Sequence, residues 1–484
     1  MRAGALAALA ALGLGGCTVG PDYHRPQVPS PPGFSESAAP PAASTPSAEA
    51  DLSSWWTQFH DPVLQRLVER ALAENLDLEA AASRVRQARF EAKIAAAAEW
   101  PAINATANAV NLRSNRPSTS SSGASASGAA ASQGFELPNQ LNLYSVGFDA
   151  TWEIDLFGGV RRSIEEARAN REAAEWARRD AEVTLTAEVA SDYFNLRETQ
   201  TRIAVGQAEL ARQQSIGALV SAQRQAGFVT RFEVNQQTGV TATSAAQLRE
   251  LEGQQRAQIH AIEILLGEPP ETLEPELASG VAGLTSPPPP GLPVGLPSEL
   301  LERRPDLREA ERRLAAANAE IGVQTANLYP KLDLIPLASF AGMSLPGLFS
   351  SENLTVAAIS SLSEPVFNAG KTRAAIGQAR ERAQQATLAY RTAVLGAFRD
   401  VEDALARIRS EQARTAQLAG AVDADANSLA IAQDQYQVGL VTYANIYNAE
   451  NALLNARDQL VQSNGQETQN LISLYKALGG GWRD

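Results

Sequence analysis

One cysteine, three histidines and no long apolar run are the scarcities that first constrain this chain of 484 residues. With Cys17 alone, neither a disulfide scaffold nor a cysteine-built zinc site is available. His24, His60 and His260 leave little for metal ligation or proton transfer. No stretch of about eighteen apolar residues occurs, so no helix is expected to cross a bilayer. Positive charge is short as well. The 41 basic residues against 54 acidic give a net charge of −13, which argues against nucleic acid, whose binders need a basic face. No phosphate-binding glycine loop and no nucleophile motif occur, so an enzyme is the least favoured class. What remains is 44% hydrophobic but only 6% aromatic, so small aliphatic residues, alanine foremost, carry the hydrophobicity. Length alone would suit two or three ordinary domains.

The place of the one cysteine gives it a positive meaning. Residues 1–16 read as an export signal: Arg2, then an apolar stretch from Ala5 to Leu14 too short to span a bilayer, then small residues. Leu14-Gly15-Gly16-Cys17 resembles a bacterial lipobox, in which Cys17 becomes the mature N-terminus and carries lipid. That lipid is the one non-protein group expected; no cofactor and no metal is. An ordinary cleavable signal with an incidental thiol is the alternative. A single lipid anchors only marginally, so a membrane protein built this way needs a second hold. Thr18, rather than Asp, follows the cysteine, which by analogy with bacterial lipoproteins favours the outer membrane.

Beyond a Pro/Ala/Ser-rich arm from Pro21 to about Ala48, the chain is written twice. Asn75-Leu76-Asp77-Leu78 through Trp100-Pro101-Ala102-Ile103 aligns without gaps on Arg304-Pro305-Asp306-Leu307 through Tyr329-Pro330-Lys331-Leu332, an offset of 229. Gly227-Phe228-Val229-Thr230 aligns with Gly439-Leu440-Val441-Thr442, and Leu266-Gly267 with Leu478-Gly479, both at an offset of 212. The smaller offset places extra residues in the first copy, visible as the Ser/Ala/Gly run from Ser118 to Ser132. A proline-rich linker from Glu268 to Pro297 joins the copies. Each copy should build the same supersecondary unit.

Within each copy the hydrophobic period changes. Residues 62–99 have helical spacing and stop before Trp100-Pro101; the twin runs from Ser298, a good N-cap, to about Leu328. From Asn142 to Leu156 the period is two. Tyr144, Val146, Phe148, Ala150, Trp152, Ile154 and Leu156 take one side; Ser145, Gly147, Asp149, Thr151, Glu153 and Asp155 take the other. Ile103 to Ala109 repeats the alternation, and Leu332/Leu334 with Leu354 to Val366 offers it more faintly. Such strands suit either a half-buried soluble hairpin or a lipid-out, water-in outer-membrane barrel. Four strands cannot close a barrel, and an open edge in lipid is prohibitively costly. If they cross the membrane, several chains must share one barrel. Proline-free stretches then follow. Val160 to about Ala226 would be ~100 Å long as one helix. Lys371 to Val438 carries a heptad of Val394, Val401, Ile408, Thr415, Val422, Leu429 and Tyr436, the sign of coiled-coil packing.

The long helices end at turns. Gly227 and Gly439 suit a left-handed C′ position. Thr230-Arg231-Phe232-Glu233 has the form of a capping box, whereas the second turn has Asn445 in place of the glutamate. An apolar pair at each tip, Phe228-Val229 and Leu440-Val441, suggests a docking surface.

Together, Cys17-Thr18-Val19-Gly20-Pro21-Asp22-Tyr23, Arg25-Pro26, Trp55-Trp56, the run Leu296-Pro297-Ser298-Glu299-Leu300-Leu301-Glu302-Arg303-Arg304-Pro305-Asp306 and the two glycine turns resemble the TolC-like outer membrane factors. The resemblance is specifically to the NodT-type lipoprotein branch, which serves resistance-nodulation-division efflux pumps. The resemblance implies a chain that is mainly α with a transmembrane β part. A long α-helical barrel and a β-barrel would be shared in a homotrimer, four strands per chain. It implies an outer membrane exit duct in a Gram-negative bacterium, with a periplasmic adaptor, an inner-membrane pump and outer membrane lipid as partners. The expected divisions are a signal peptide at 1–16, a lipidated arm and equatorial segment at 17–60, a first repeat at 61–267, a linker at 268–297, a second repeat at 298–479 and a tail at 480–484. Strands are expected at about 102–115, 141–156, 331–342 and 353–366. Gly227, Phe228, Val229, Thr230, Gly439, Leu440, Val441 and Thr442 would dock the adaptor. Glu233, Tyr436, Tyr443, Asn445 and Asn448 would line or lock the entrance, and Asp149, Glu153 and Asp155 would face the barrel lumen. Relatives often carry acids where Asn445 and Asn448 stand, so a strong carboxylate ring is not expected here. Two other readings stay open: a duct for type I protein secretion, and, in a different class, a non-channel periplasmic coiled-coil adaptor.

Overall fold

Two copies of one element series make up the computed structural model, which describes residues 18–35, 52–113, 140–278 and 297–482. Cys17, the signal segment, the run from Ser118 to Ser132 and most of the proline-rich linker lie outside the described residues. A 3-10 segment, Leu52–Phe59, precedes the first copy. That copy comprises α1 (Pro62–Glu74), α2 (Leu76–Ala97), β1 (Ala102–Arg113), β2 (Gln140–Ile154), α3 (Gly159–Gln225) and α4 (Arg231–Leu265). After the one-turn α5 (Glu274–Leu277), the second copy comprises α6 (Pro297–Arg303), α7 (Pro305–Ala326), β3 (Lys331–Gly342), β4 (Leu354–Ser363), α8 (Lys371–Gln437) and α9 (Tyr443–Ala477). Corresponding helices match in length: 22 residues for α2 and α7, 67 for α3 and α8, 35 for α4 and α9.

Each expected opening helix is in fact two. The break falls at Asn75 and, at the 229-residue offset, at Arg304. Both side chains reach equivalent carbonyls: Asn75 Nδ2 donates to Leu265 O at 2.8 Å, and Arg304 to Ala477 O at 3.1 Å. Ser298 is not a cap, because α6 already begins at Pro297. Two strands are shorter than the alternation suggested. β2 ends at Ile154, which leaves Leu156 outside it, and β4 ends at Ser363, with Val366 beyond it and 95% exposed.

The chain divides into two compact units. One holds Ala88–Arg171, Leu314–Ala386 and the described N-terminal residues from Thr18 to His24, and it contains the sheet. The sheet is antiparallel, ordered β1-β2-β3-β4, with β1 and β4 as its edges. Register places Ile103, Val146, Phe148, Phe340, Leu354, Val356 and Leu362 on one face, where period two puts alternate residues. Asn104, Asn108, Ser145, Asp149, Glu153, Asp333, Ser339 and Ser361 share the other. Ile335, Leu337 and Ile359 interrupt that polar face, which is why the second copy alternates less clearly. Pro336 pairs with Ala358, while the β2–β3 register lapses beside it, as a residue without an N–H requires.

The second unit holds Arg25–Gln87, Glu172–Arg313 and Thr387–Asp484. Its core joins the aromatic segment before α1 to the heptad residues. Trp55 is fully buried, stacked on Tyr475 at 5.0 Å between ring centroids, beside Phe59, Tyr193, Val394, Val401 and Ile408. Leu78 and Leu307, equivalent across the repeat, both lie in it. Asp61 caps α1 through Val63 N and Leu64 N and also accepts from Tyr193 Oη at 2.6 Å.

Candidate functional site

The two glycine turns have one backbone design, set by local sequence. Gly227 (φ +85°) and Gly439 (φ +76°) occupy the left-handed region, where a side chain would be strained. Phe228 N donates to Gln223 O and Gly227 N to Arg224 O; Leu440 N and Gly439 N make the equivalent pair to Gln435 O and Tyr436 O. This is the Schellman arrangement, which satisfies the last carbonyls of α3 and α8. Thr230 closes a full capping box on α4, with Glu233 accepting from its backbone N–H. The Glu233 carboxylate is lowered from its ordinary range, first by the Thr230 hydroxyl and then by backbone donors. Thr442 makes no such cap; its hydroxyl donates to Asn445 Oδ1 at 3.2 Å. Phe228 and Leu440 are 83% and 75% exposed, while Val229 and Val441 are half-buried. Asn445 and Asn448 are exposed.

Tyr436 and Tyr443 turn away from the tip and join the two copies. Tyr436 Oη donates to Gln223 of α3 at 2.6 Å, and Tyr443 Oη donates to Gln237 of α4. The rings meet edge to face, centroids 6.2 Å apart. Tyr436 also packs against the cluster of Leu429, Ile446 and Leu453, so its heptad role and its bond across the repeat coexist. Gln237 is buried and donates onward to Gln213 O at 2.8 Å. Burial raises both tyrosine hydroxyls above their ordinary value, Tyr443 strongly, while at Tyr436 the bond to Gln223 opposes the rise. Farther along, α3 and α9 also share polar contacts. Arg212 bonds the buried Glu450 at 2.6 Å, Arg202 forks onto Asp458 at 2.7 and 3.2 Å, and Gln469 bonds Ser191 and Asn195. Glu198 lies against Gly465 and is pushed up to about 6 by burial, with Arg202 opposing and Asp458 adding.

On the polar face of the sheet, Asp149 lies 3.5 Å from Asn104 Nδ2 and Glu153 3.4 Å from Lys331 Nζ. Asp155 does not join them. It lies past the end of β2, and its carboxylate accepts from the backbone and side chain of Arg161, fastening the start of α3. The alternation runs on for two residues after the ladder stops.

A fourth feature escaped sequence reasoning altogether. Residues just after Cys17 are built into the sheet-containing unit by Arg162, whose side chain is 4% exposed. Its guanidinium donates to Val19 O, Gly20 O and Asp22 Oδ1. Gly20 (φ +94°) lies so close to Gly322 that a Cβ would stand 2.5 Å from the Gly322 Cα. Val19 N donates to Phe157 O, three residues past β2. Among the described residues no group of three or more His, Cys, Asp or Glu could hold a metal ion. No described helix is long and apolar enough to cross a membrane.

Comparison with known proteins adds to this geometry. The sequence profile described as "Outer membrane efflux protein" matches residues 67–268 and 296–480. The cation efflux system protein CusC of Escherichia coli is 31% identical over 481 residues, covering 98% of this chain and 97% of that protein. The pyoverdine export outer membrane protein OpmQ of Pseudomonas aeruginosa is 32% identical over 434 residues, covering 90% and 88%. Among solved structures, the outer-membrane channel OprN has a TM-score of 0.83 at 31% identity, over 96% of this chain and 100% of that one.

Proposed function

The chain belongs to the outer membrane efflux protein family, and from that premise we propose that three copies share one β-barrel as the exit duct of a tripartite efflux pump. It is a conduit and not an enzyme. A periplasmic adaptor docks at the turns around Gly227 and Gly439, an inner-membrane resistance-nodulation-division pump supplies the energy, and the cargo crosses passively. The cargo is left open by the relatives themselves, whose names specify cations in one case and pyoverdine in the other.

The observation that carries this reading is the sheet. It has one exposed apolar face, with Ile103 at 71%, Phe148 at 63% and Val356 at 73%, and it has two free edges, β1 and β4. In lipid every backbone N–H and C=O must find a partner inside protein, so a lone four-stranded sheet would be prohibitively unstable there. Pairing β4 of one copy with β1 of the next removes both edges. Three copies then give twelve strands, enough to enclose a lumen lined by Asp149 and Glu153.

Lipid on Cys17 provides the second hold. In its support, Thr18, the residue after the cysteine, is seated against Gly158 and Val19 on Phe157, beside the end of β2, where the bilayer boundary would lie. The gate is the pair of tyrosine bonds. They tie α8 and α9 to α3 and α4 at the closed tip, and adaptor docking pulls them apart.

The test is a deletion strain assayed for drug and metal susceptibility and, in parallel, for secreted proteins. Increased susceptibility with normal secretion is expected. Lost secretion with unchanged susceptibility would assign the duct to type I protein export instead. Release of the protein from membranes by salt alone, with no heat-modifiable oligomer, would overturn the barrel.

A further inference from the structure

The two turns descend from one repeat, yet the residues beside their glycines have parted chemically. At the 212-residue offset, Arg224 stands where the second copy has Tyr436, and Arg231 where it has Tyr443. The tyrosines reach inward, to Gln223 and Gln237. The arginines are exposed, and neither has an ion pair or side-chain hydrogen bond among the described residues. The carboxylate nearest to them in sequence, Glu233, is committed to the Thr230 cap. Two exposed rings, Phe228 at 83% and Phe232 at 71%, flank these cations. The second turn contains no charged residue from Gln435 to Ala449, and its exposed apolar groups are the aliphatic Val438 and Leu440.

We propose that the first turn is a basic, aromatic docking site for an acidic helical-hairpin tip, while the second receives an uncharged one, so that partner choice is made at Arg224 and Arg231. This rests on the reading that the turns dock a periplasmic adaptor. The rest of the chain favours the assignment. With a net charge of −13 the protein repels an acidic partner in general, so a local pair of unpartnered guanidiniums is where such a partner can approach. Guanidinium groups match carboxylates in a two-pronged geometry, and an adjoining aromatic ring supplies contact area at little entropic cost. The duplication explains the division of labour. One copy kept its flanking pair outward for recognition, and the other turned its pair inward to hold the tip.

The probes are two stapled two-helix peptides, identical except that the loop carries two glutamates in one and two lysines in the other. They are immobilised densely and offered the detergent-purified full-length protein. The glutamate peptide should retain about tenfold more at low salt, as expected for two exposed ion pairs replacing two like-charge contacts. The difference should shrink at about 0.5 M salt. Arg224→Glu with Arg231→Glu should reverse the preference, and Arg224→Lys with Arg231→Lys should retain it. Both sites are exposed, and unchanged circular dichroism and oligomer size will confirm folding. Equal capture of both peptides, or capture of neither, overturns the proposal. In-cell crosslinking of the adaptor through Leu440→Cys separates the two failures: crosslinking with no charge preference leaves the docking reading intact, whereas its absence removes that reading as well.

Discussion

Removing two hydroxyl groups at the tip should open the channel. Tyr443 and Gln237 are 4% and 2% exposed, and in Tyr443→Phe the Gln237 carbonyl loses its donor in a place water does not reach. Leaving such an acceptor unsatisfied costs about 1–3 kcal/mol. Tyr436 is half-buried, so its bond to Gln223 contributes about 1 kcal/mol net. If opening breaks both bonds, the double variant loses about 3 kcal/mol of closed-state preference per chain, roughly a hundredfold shift in the open-to-closed ratio. The rings remain, so the edge-to-face contact and the packing against the Leu429, Ile446 and Leu453 cluster survive. Single-channel recording in planar bilayers should therefore show a large gain in open time. Cells carrying the double variant should take up a bulky antibiotic that the wild type excludes. Tyr390→Phe is the control, because Tyr390 is also buried but lies in the large core of the same unit. A double variant as closed as wild type, or an equal leak from Tyr390→Phe, would refute the idea that these two bonds hold the gate.

Further expectations follow from other sites. Asp149→Asn with Glu153→Gln should lower the cation preference of the open channel, Asp149 contributing more because Lys331 already partners Glu153; unchanged selectivity in bilayer recordings would show that these side chains do not set the field. Gly439→Pro or Leu440→Asp should abolish crosslinking to the adaptor without altering oligomer size, since φ at Gly439 is +76° and Leu440 is exposed; normal crosslinking would remove the second turn from the docking surface. Glu198, pushed up to about 6, is ionised in both folded and unfolded chains above that value, and its burial then costs stability. As pH falls from 7 toward 5 the folded form takes the proton first, so its contribution rises and is complete once the unfolded group also protonates, near 4.5. Glu198→Gln should raise stability at pH 7 by about 2 kcal/mol and flatten the rise in Tm between pH 7 and 5; parallel pH profiles for variant and wild type would contradict this.

What could be read from the sequence was what adjacent residues decide. The period-two run from Asn142 locates β2, the glycines locate both turns and Thr230 with Glu233 the cap of the first, because a left-handed residue and a capping box are local requirements. Repeat offsets alone pair the helices of the two copies. Features set by distant partners stayed hidden. Helical spacing continues across Asn75 and Arg304, and the carbonyls that draw these side chains belong to Leu265 and Ala477, far along the chain. Asp155 fits the alternation, and only its bonds to Arg161 reveal that the strand has already ended. Arg162 looked like one arginine among many, since nothing near it predicts that Gly20 and Asp22 will return to it. At the tip, Tyr436 and Tyr443 stood out, but Gln223 and Gln237, the groups they hold, did not. The contrast with Arg224 and Arg231 lies in exposure, which depends on the fold around each turn and not on the residues beside it.

The shared barrel, together with the lipid on Cys17, is tested most directly by native mass measurement of the complex extracted in detergent from its own membrane. The expected result is a single species of three chains, each starting at residue 17 and heavier than its polypeptide by the mass of an N-terminal lipid. A folded monomer or dimer would contradict the sharing of β1 and β4 edges between copies, and chains of bare polypeptide mass would contradict the anchor.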